Sequence, residues 1–502
     1  MIISIICRFF EDEYQGGGTG WLYPRATIDA LPDDALVETF EFYLGKDDAD
    51  KFDYYHNYDG WQTLVHVCHR WRCIVFASPH RLDLKLYCTP QRPANSKTLD
   101  IWPALPIVIY ALDMRSKKDA TNVIAALRQH NRLCKIYYRN GHIGDPFVLE
   151  EFAAIDEPFP VLTSLVLTDL TSFQQPSVPV LPDSFLGGSA PCLRSLDLFS
   201  ISYPSIGKLL SSTTNLVHLS LWDIPHCGYI SPETIVPCLS MLPRLGSLEL
   251  GFRYPRSRIH RSSRHPPPLT HAVFPNLTFF RFRGDIEYLE DILSQIETPM
   301  LNRSHFRFFN QLVFDTPLLG QFIRRTETFM TTCTARVEFS SSDVGVTLWG
   351  QEEVANDGME TQSLSISCKP LDWQLSALPQ VLNSFLTSLS TLESLEIAVS
   401  RKDWQGEIEV IQWQEFLHPF TPVRKMSLKD EASVRLVAPA LRELAGERAT
   451  EVLSALQNLS LMTSGWSPSG PLKEAIEEFI TTRQLYGHPV TAHYEDTESE
   501  EE

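Results

Sequence analysis

Residues 193–222 read LRSLDLFSISYPSIGKLLSSTTNLVHLSLW. One pattern occurs twice in them: Leu193-x-x-Leu196-x-Leu198 and Leu216-x-x-Leu219-x-Leu221. The period of two inside Leu-x-Leu puts both leucines on one side of a short strand and the residue between them on the other. Between the copies, Ser205–Ser211 carries apolar residues at helical spacing. Two like strands joined by such a return run parallel, because an antiparallel pair needs only a tight turn.

The pattern recurs through most of the chain. Strict copies begin at Leu162 and Leu245 as well. Looser ones are Ala104/Ile107/Ile109, Leu133/Ile136/Tyr138, Leu277/Phe280/Phe282, Phe309/Leu312/Phe314, Thr334/Val337/Phe339, Thr361/Leu364/Ile366, Leu392/Leu395/Ile397, Val423/Met426/Leu428 and Leu456/Leu459/Leu461. Their starts are about 29 residues apart on average, toward the upper end of the leucine-rich-repeat range. Thr121–His130, Ile286–Ile296 and Leu378–Leu389 are further candidate return helices. The expectation is an α/β fold: a curved strand-helix solenoid with a parallel sheet on its concave side.

Upstream, residues 28–77 read differently. Leu36, Phe40 and Leu44 make one apolar stripe, with Pro32, Asp33 and Asp34 placed to open a helix. Leu64, Val67, Cys68, Trp71 and Ile74 or Val75 share a face of a second helix. The expected organisation is a disordered leader at 1–27, a small all-α domain at 28–82, the solenoid at 83–490 and a disordered acidic tail at 491–502 (TAHYEDTESEEE).

This arrangement, a Leu-Pro start, an aliphatic helix and a Val-Cys-x-x-Trp-Arg close, resembles the F-box. The loop 45–60 (GKDDADKFDYYHNYDG) is longer and more acidic than the usual pattern. Repeats after such a module resemble fungal, basidiomycete-like F-box proteins, and Thr98–Ile107 looks like their entry strand. The resemblance implies a substrate-recognition subunit of an SCF-type (Skp-cullin-F-box) ubiquitin ligase. Leu31, Pro32, Leu36, Phe40, Val67 and Trp71 would form the interface with a Skp-type adaptor or the core beneath it, and the adaptor would link to a cullin. The alternative is a repeat scaffold that joins no ligase, its N-terminal helices serving as an end cap.

A protein target would meet the residues between and after the paired apolars: Tyr137, Arg139, Asp197, Phe199, Ser220, Trp222, Glu249, Arg281, Arg283 and Asp315. Phe199 and Trp222 are anchor types, unless they tuck under a loop. The loop RYPRSRIHRSSRH at 253–265 holds Arg253, Arg256, Arg258, Arg261 and Arg264 without an acid. With Arg281 and Arg283 it offers either a site for an acidic or phosphorylated segment or a solvated insertion.

The net charge of −19 over 502 residues disfavours nucleic acid or an anionic membrane as main partner. No apolar window spans a membrane, and ten scattered cysteines without a Cys-x-x-Cys pair read as reduced, buried thiols. The expected location is cytoplasmic or nuclear. Phosphate-loop, dinucleotide-binding, HExxH and Gly-x-Ser-x-Gly motifs are missing; Gly465–Gly470 is a near miss for the last. No catalytic residue, cofactor or metal is expected.

Overall fold

The structure is a computed structural model. It describes residues 28–44, 60–90, 105–112, 117–140, 147–171, 178–255, 271–326, 332–350, 362–383, 389–400, 410–446, 451–462 and 470–495. The chain divides into two compact units, up to Lys85 and from Leu86.

The first unit holds α1 (Asp33–Leu44), α2 (Gly60–Val65) and α3 (His69–Ala77). The expected second helix is thus two. Cys68 takes an extended conformation and its Sγ accepts from the Trp71 N–H at 3.5 Å, so it caps α3 and does not lie mid-helix. The break turns Val67 outward, where it is 44% exposed. Leu36, Phe40 and Trp71 are buried, with the Phe40 and Trp71 rings 4.7 Å apart. Arg70 ties the first turn of α3 to the start of α1 by donating to Asp33 Oδ1 at 2.6 Å and the Leu31 carbonyl at 2.5 Å.

Among the described residues, the second unit is built on a 16-stranded sheet. Its first strands are β1 (Leu86–Cys88), β2 (Ile107–Leu112), β3 (Leu133–Asn140), β4 (Ser164–Asp169), β5 (Ser195–Phe199), β6 (His218–Ile224) and β7 (Ser247–Phe252), each parallel to the next. Two-residue β8 (Ala272–Val273) pairs apart with β10 (Ile296–Glu297). The main sheet continues through β9 (Phe279–Gly284) and β11 (Arg303–Phe309). The return helices are α4 (Lys117–Leu127), α5 (Phe147–Ala153), α6 (Ile206–Leu210), α7 (Pro232–Ser240), α8 (Ile286–Leu293), α9 (Pro317–Arg325), α10 (Leu371–Leu382), α11 (Val410–Leu417), α12 (Glu431–Leu444) and α13 (Pro471–Leu485). The leucines at 162, 165, 167, 193, 196, 198, 216, 219, 221, 245, 248 and 250 are all buried in successive strands and their approaches. This strand-and-return stacking is consistent with a leucine-rich-repeat array.

Three expectations fail, each for a physical reason. The copy at Phe309/Leu312/Phe314 is not a strand, and Leu312 is 78% exposed. The true copy is Leu301-x-x-Ser304-x-Phe306, masked by a serine at an inward position; all three residues are buried.

Second, the array is not wholly parallel. β12 (Thr332–Phe339), β13 (Val344–Gly350) and β14 (Gln362–Ser367) enter in reverse, giving the order β11-β14-β13-β12 and then β15 (Ser394–Val399). β13 is antiparallel to both neighbours. Ser340–Asp343 is the short turn that makes this hairpin: the Ser340 N–H donates to the Asp343 carbonyl at 2.8 Å, and the Asp343 N–H to Ser340 Oγ at 3.0 Å. Ala335 and Val337, not Val337 and Phe339, match Leu395 and Ile397 of β15.

Third, residues 491–495 of the expected disordered tail form β18 (Thr491–Glu495). It closes the run from β16 (Lys425–Leu428) through β17 (Asn458–Met462). The ladder is made by backbone groups, which any non-proline residue supplies. The acidic loop 45–59, the entry segment 98–104, the leader and residues 496–502 lie outside the described residues.

Candidate functional site

The outward face of β5 to β11 carries the candidate target-binding residues in register. One row pairs Asp197 with Ser220, Ser220 with Glu249, Glu249 with Arg281 and Arg281 with His305. The next row pairs Phe199 with Trp222, Gly251 with Arg283 and Arg283 with Arg307. Sequence alternation alone puts these residues on one side, because Leu196, Leu198, Phe280, Phe282, Phe306 and Phe308 fill the other.

Trp222 is half-buried and lies flat across Gly251. A Cβ on Gly251 would meet the indole at 2.6 Å, so the ring needs glycine there. The Arg281 guanidinium lies over the indole, 4.2 Å from the ring centre, and bonds Glu249 at 3.2 Å. The result is an anchor in which one indole packs on backbone and holds a cation. Phe199, half-buried, stands beside it; Ser220 and Tyr137 are buried and offer little surface. Asp315 lies on a loop after β11, not on a strand.

Acid gathers at one end of the row. Burial raises the Asp197 carboxyl to about 6, and Glu249 adds to this, while His218 and the Ser220 hydroxyl act against it. Base gathers at the other end. The register slips between Leu221 and Ile224, and Asp223 there takes a left-handed φ of 58°. Its buried carboxylate accepts from Ser200 Oγ at 2.6 Å and Arg253 Nε at 2.8 Å. Arg253 is therefore a buried ion-pair partner, not part of an exposed loop. Arg256 and Arg258 lie outside the described residues.

Two surface features escaped the sequence reading. Arg307 joins the arginine row, visible only once β11 is placed at 303–309. Phe42 on α1 is 91% exposed, outside the apolar stripe of its helix. In the same unit Leu31 is 41% exposed and Pro32 is exposed, so Leu31, Pro32 and Val67 are surface while Leu36, Phe40 and Trp71 are core. Among the described cysteines Cys73, Cys192 and Cys227 are exposed, contrary to the expected burial, because they sit on helix and loop surfaces. Among the described residues no cluster of three metal-binding side chains occurs, and no helix is long and apolar enough to cross a membrane.

No protein-family profile matches this sequence, and no curated protein does. Two of the solved structures similar to this chain follow. One is the leucine-rich repeat-containing protein LegL7 from Legionella pneumophila, at 16% identity and a TM-score of 0.28, covering 69% of this chain and 97% of that one. The other is the TLR13–ssRNA13 complex, at 11% identity and a TM-score of 0.24, covering 72% of this chain and 46% of that one.

Proposed function

We propose that this chain is a non-catalytic repeat scaffold that holds a protein target on its outward strand face, and that its N-terminal helices attach it, as an F-box would, to a Skp-type adaptor and so to a cullin ubiquitin ligase. The observation that carries the first part is the Gly251–Trp222–Arg281 stack beside Phe199. Preordered aromatics and arginines in partly desolvated positions are the residue types that dominate interface energetics. In support of the second part, Leu31, Pro32 and Val67 are presented at the surface over a core of Leu36, Phe40 and Trp71. The mechanism is proximity: holding a target lysine near a charged conjugating enzyme raises its effective concentration, and other subunits do the chemistry. Such work belongs in the cytoplasm or nucleus.

The test is co-purification of the full chain with a Skp-type adaptor. Leu31→Ala with Pro32→Ala and Val67→Ala should abolish adaptor capture without lowering the melting temperature of the repeat unit. Capture at wild-type level by the triple variant would sink the ligase reading. Target capture that persists while no adaptor binds would leave a scaffold that joins no ligase.

A further inference from the structure

Arg283 and Arg307 occupy paired positions on the neighbouring strands β9 and β11. Both face outward, since Phe282, Gly284, Phe306 and Phe308 beside them are buried. Like charges directly opposite on one face repel. The nearby acids relieve this only in part. Asp343 bonds Arg307 at 2.8 Å. Asp223 is 3.9 Å from Arg283 but is already held by Arg253 and Ser200. Among the described residues, Arg283 Nε is buried with no hydrogen-bond partner. Burial, and then the Arg307 guanidinium, push the Arg283 pKa down.

The surroundings suit a compact anion. Arg303 stacks on Phe279 at 5.3 Å and Arg283 on Phe309 at 5.7 Å, which restrains both forks. On the next strand, β14, the positions paired with Arg307 and Phe309 are Ser365 and Ser367. These are small, half-buried hydroxyls, and Ser367 Oγ already accepts from Arg307 Nε at 3.1 Å. Among the described residues, the ion pairs at this end of the face set Arg253, Arg281, Arg283 and Arg307 against Asp223, Glu249 and Asp343. That local excess of positive charge lies in a chain of net charge −19.

We propose that Arg283 and Arg307, with the Ser365 and Ser367 hydroxyls, bind the phosphate group of a phosphorylated segment of the target protein. Two adjacent guanidiniums match a dianion with three acceptor oxygens better than a single carboxylate. The patch is one phosphate wide. A nucleic-acid backbone continuing across the strands would leave the arginines at Gly251 and pass Glu249 and Asp197 in the adjacent row. This inference rests on the protein-binding reading above.

The probes are a peptide library with a fixed central phosphoserine, its unphosphorylated twin and a single-stranded oligouridine, each measured by fluorescence anisotropy with the full chain. The phosphorylated library should bind at least about tenfold tighter than its twin. Arg283→Gln and Arg307→Gln should each remove about tenfold of that. Arg435→Gln, on α12, should change nothing. Cooperative melting of the Arg283→Gln and Arg307→Gln proteins checks that the loss is one of binding and not of folding. Inorganic phosphate should compete. Equal binding of both libraries, both weakened by Trp222→Ala, would overturn the phosphate site and leave the protein-binding face standing. A phosphate preference that survives the double variant, or oligouridine binding as tight as the phosphopeptides, would also overturn it. Binding of neither library would remove both readings.

Discussion

The buried Glu290 carboxylate on α8 accepts from the backbone N–H groups of Leu318, at 2.9 Å, and Leu319, at 2.7 Å, in the first turn of α9. Thr316, at the N-cap position, makes no side-chain capping bond. One return helix is therefore capped by its predecessor 28 residues earlier, and the two repeats are stapled on the side away from the sheet. Glu290→Ala should cost about 2–3 kcal/mol, because it leaves two buried donors without their charged acceptor. Glu290→Gln, which keeps one acceptor oxygen, should cost roughly half of that. Urea denaturation of the three proteins checks the order.

The strand register makes a sharper contrast. Leu196→Ala and Phe306→Ala each empty a fully buried site and should cost about 2–5 kcal/mol. Leu312→Ala should lie within about 0.5 kcal/mol of wild type, as an exposed substitution. Should Leu312→Ala prove as costly as Phe306→Ala, β11 is misplaced. Melting temperatures with matched denaturant curves read both.

What the sequence makes legible here follows from periodicity. Where both inward positions are apolar and the register is right, as at 196/198 or 280/282, spacing finds the strand; Leu312/Phe314 has the same residue types off register and is no strand. Ser304 ends that legibility at β11, because the fold asks only that an inward residue fit and a buried serine does so. The β12–β14 reversal was hidden for another reason: hairpin and crossover strands share the same alternation, and only pairing tells them apart. The candidate face was half legible. The outward position of Trp222 and Arg281 follows from alternation, but the Gly251 floor and the Asp223–Arg253 ion pair depend on neighbouring strands and on a local slip of register.

Asp197 gives the face a pH dependence. Its folded carboxyl is raised to about 6, mainly by burial, whereas an unfolded aspartate titrates near 3.9. Between those values the folded state holds more protons than the unfolded one, so stability falls as pH rises. The cost of ionisation is absent below about pH 4 and complete above about pH 6, where it is on the order of 2 kcal/mol for this half-buried group. Asp197→Asn should therefore match wild type at pH 4 and exceed it in stability at pH 7. A flat difference between the two across that window would refute the raised value.

The Trp222–Arg281 stack can be isolated by a double-mutant cycle. Arg281→Gln removes the cation and Trp222→Leu the ring. The two should couple by about 0.5–1 kcal/mol, the range for a partly exposed cation–π pair. Gly251→Ala puts a methyl where the indole lies, within 2.6 Å of a ring carbon. Overpacking of that kind costs about 1–3 kcal/mol when the neighbour cannot move aside. The test of the layering is order dependence: Gly251→Ala should be nearly neutral in a Trp222→Leu background, because the leucine leaves room for the added methyl. Indole fluorescence of the Gly251→Ala protein should shift to longer wavelength as the displaced ring meets solvent. If Gly251→Ala costs the same with and without Trp222, the ring does not lie on the glycine, and Arg281 loses the platform that holds it over the strand face.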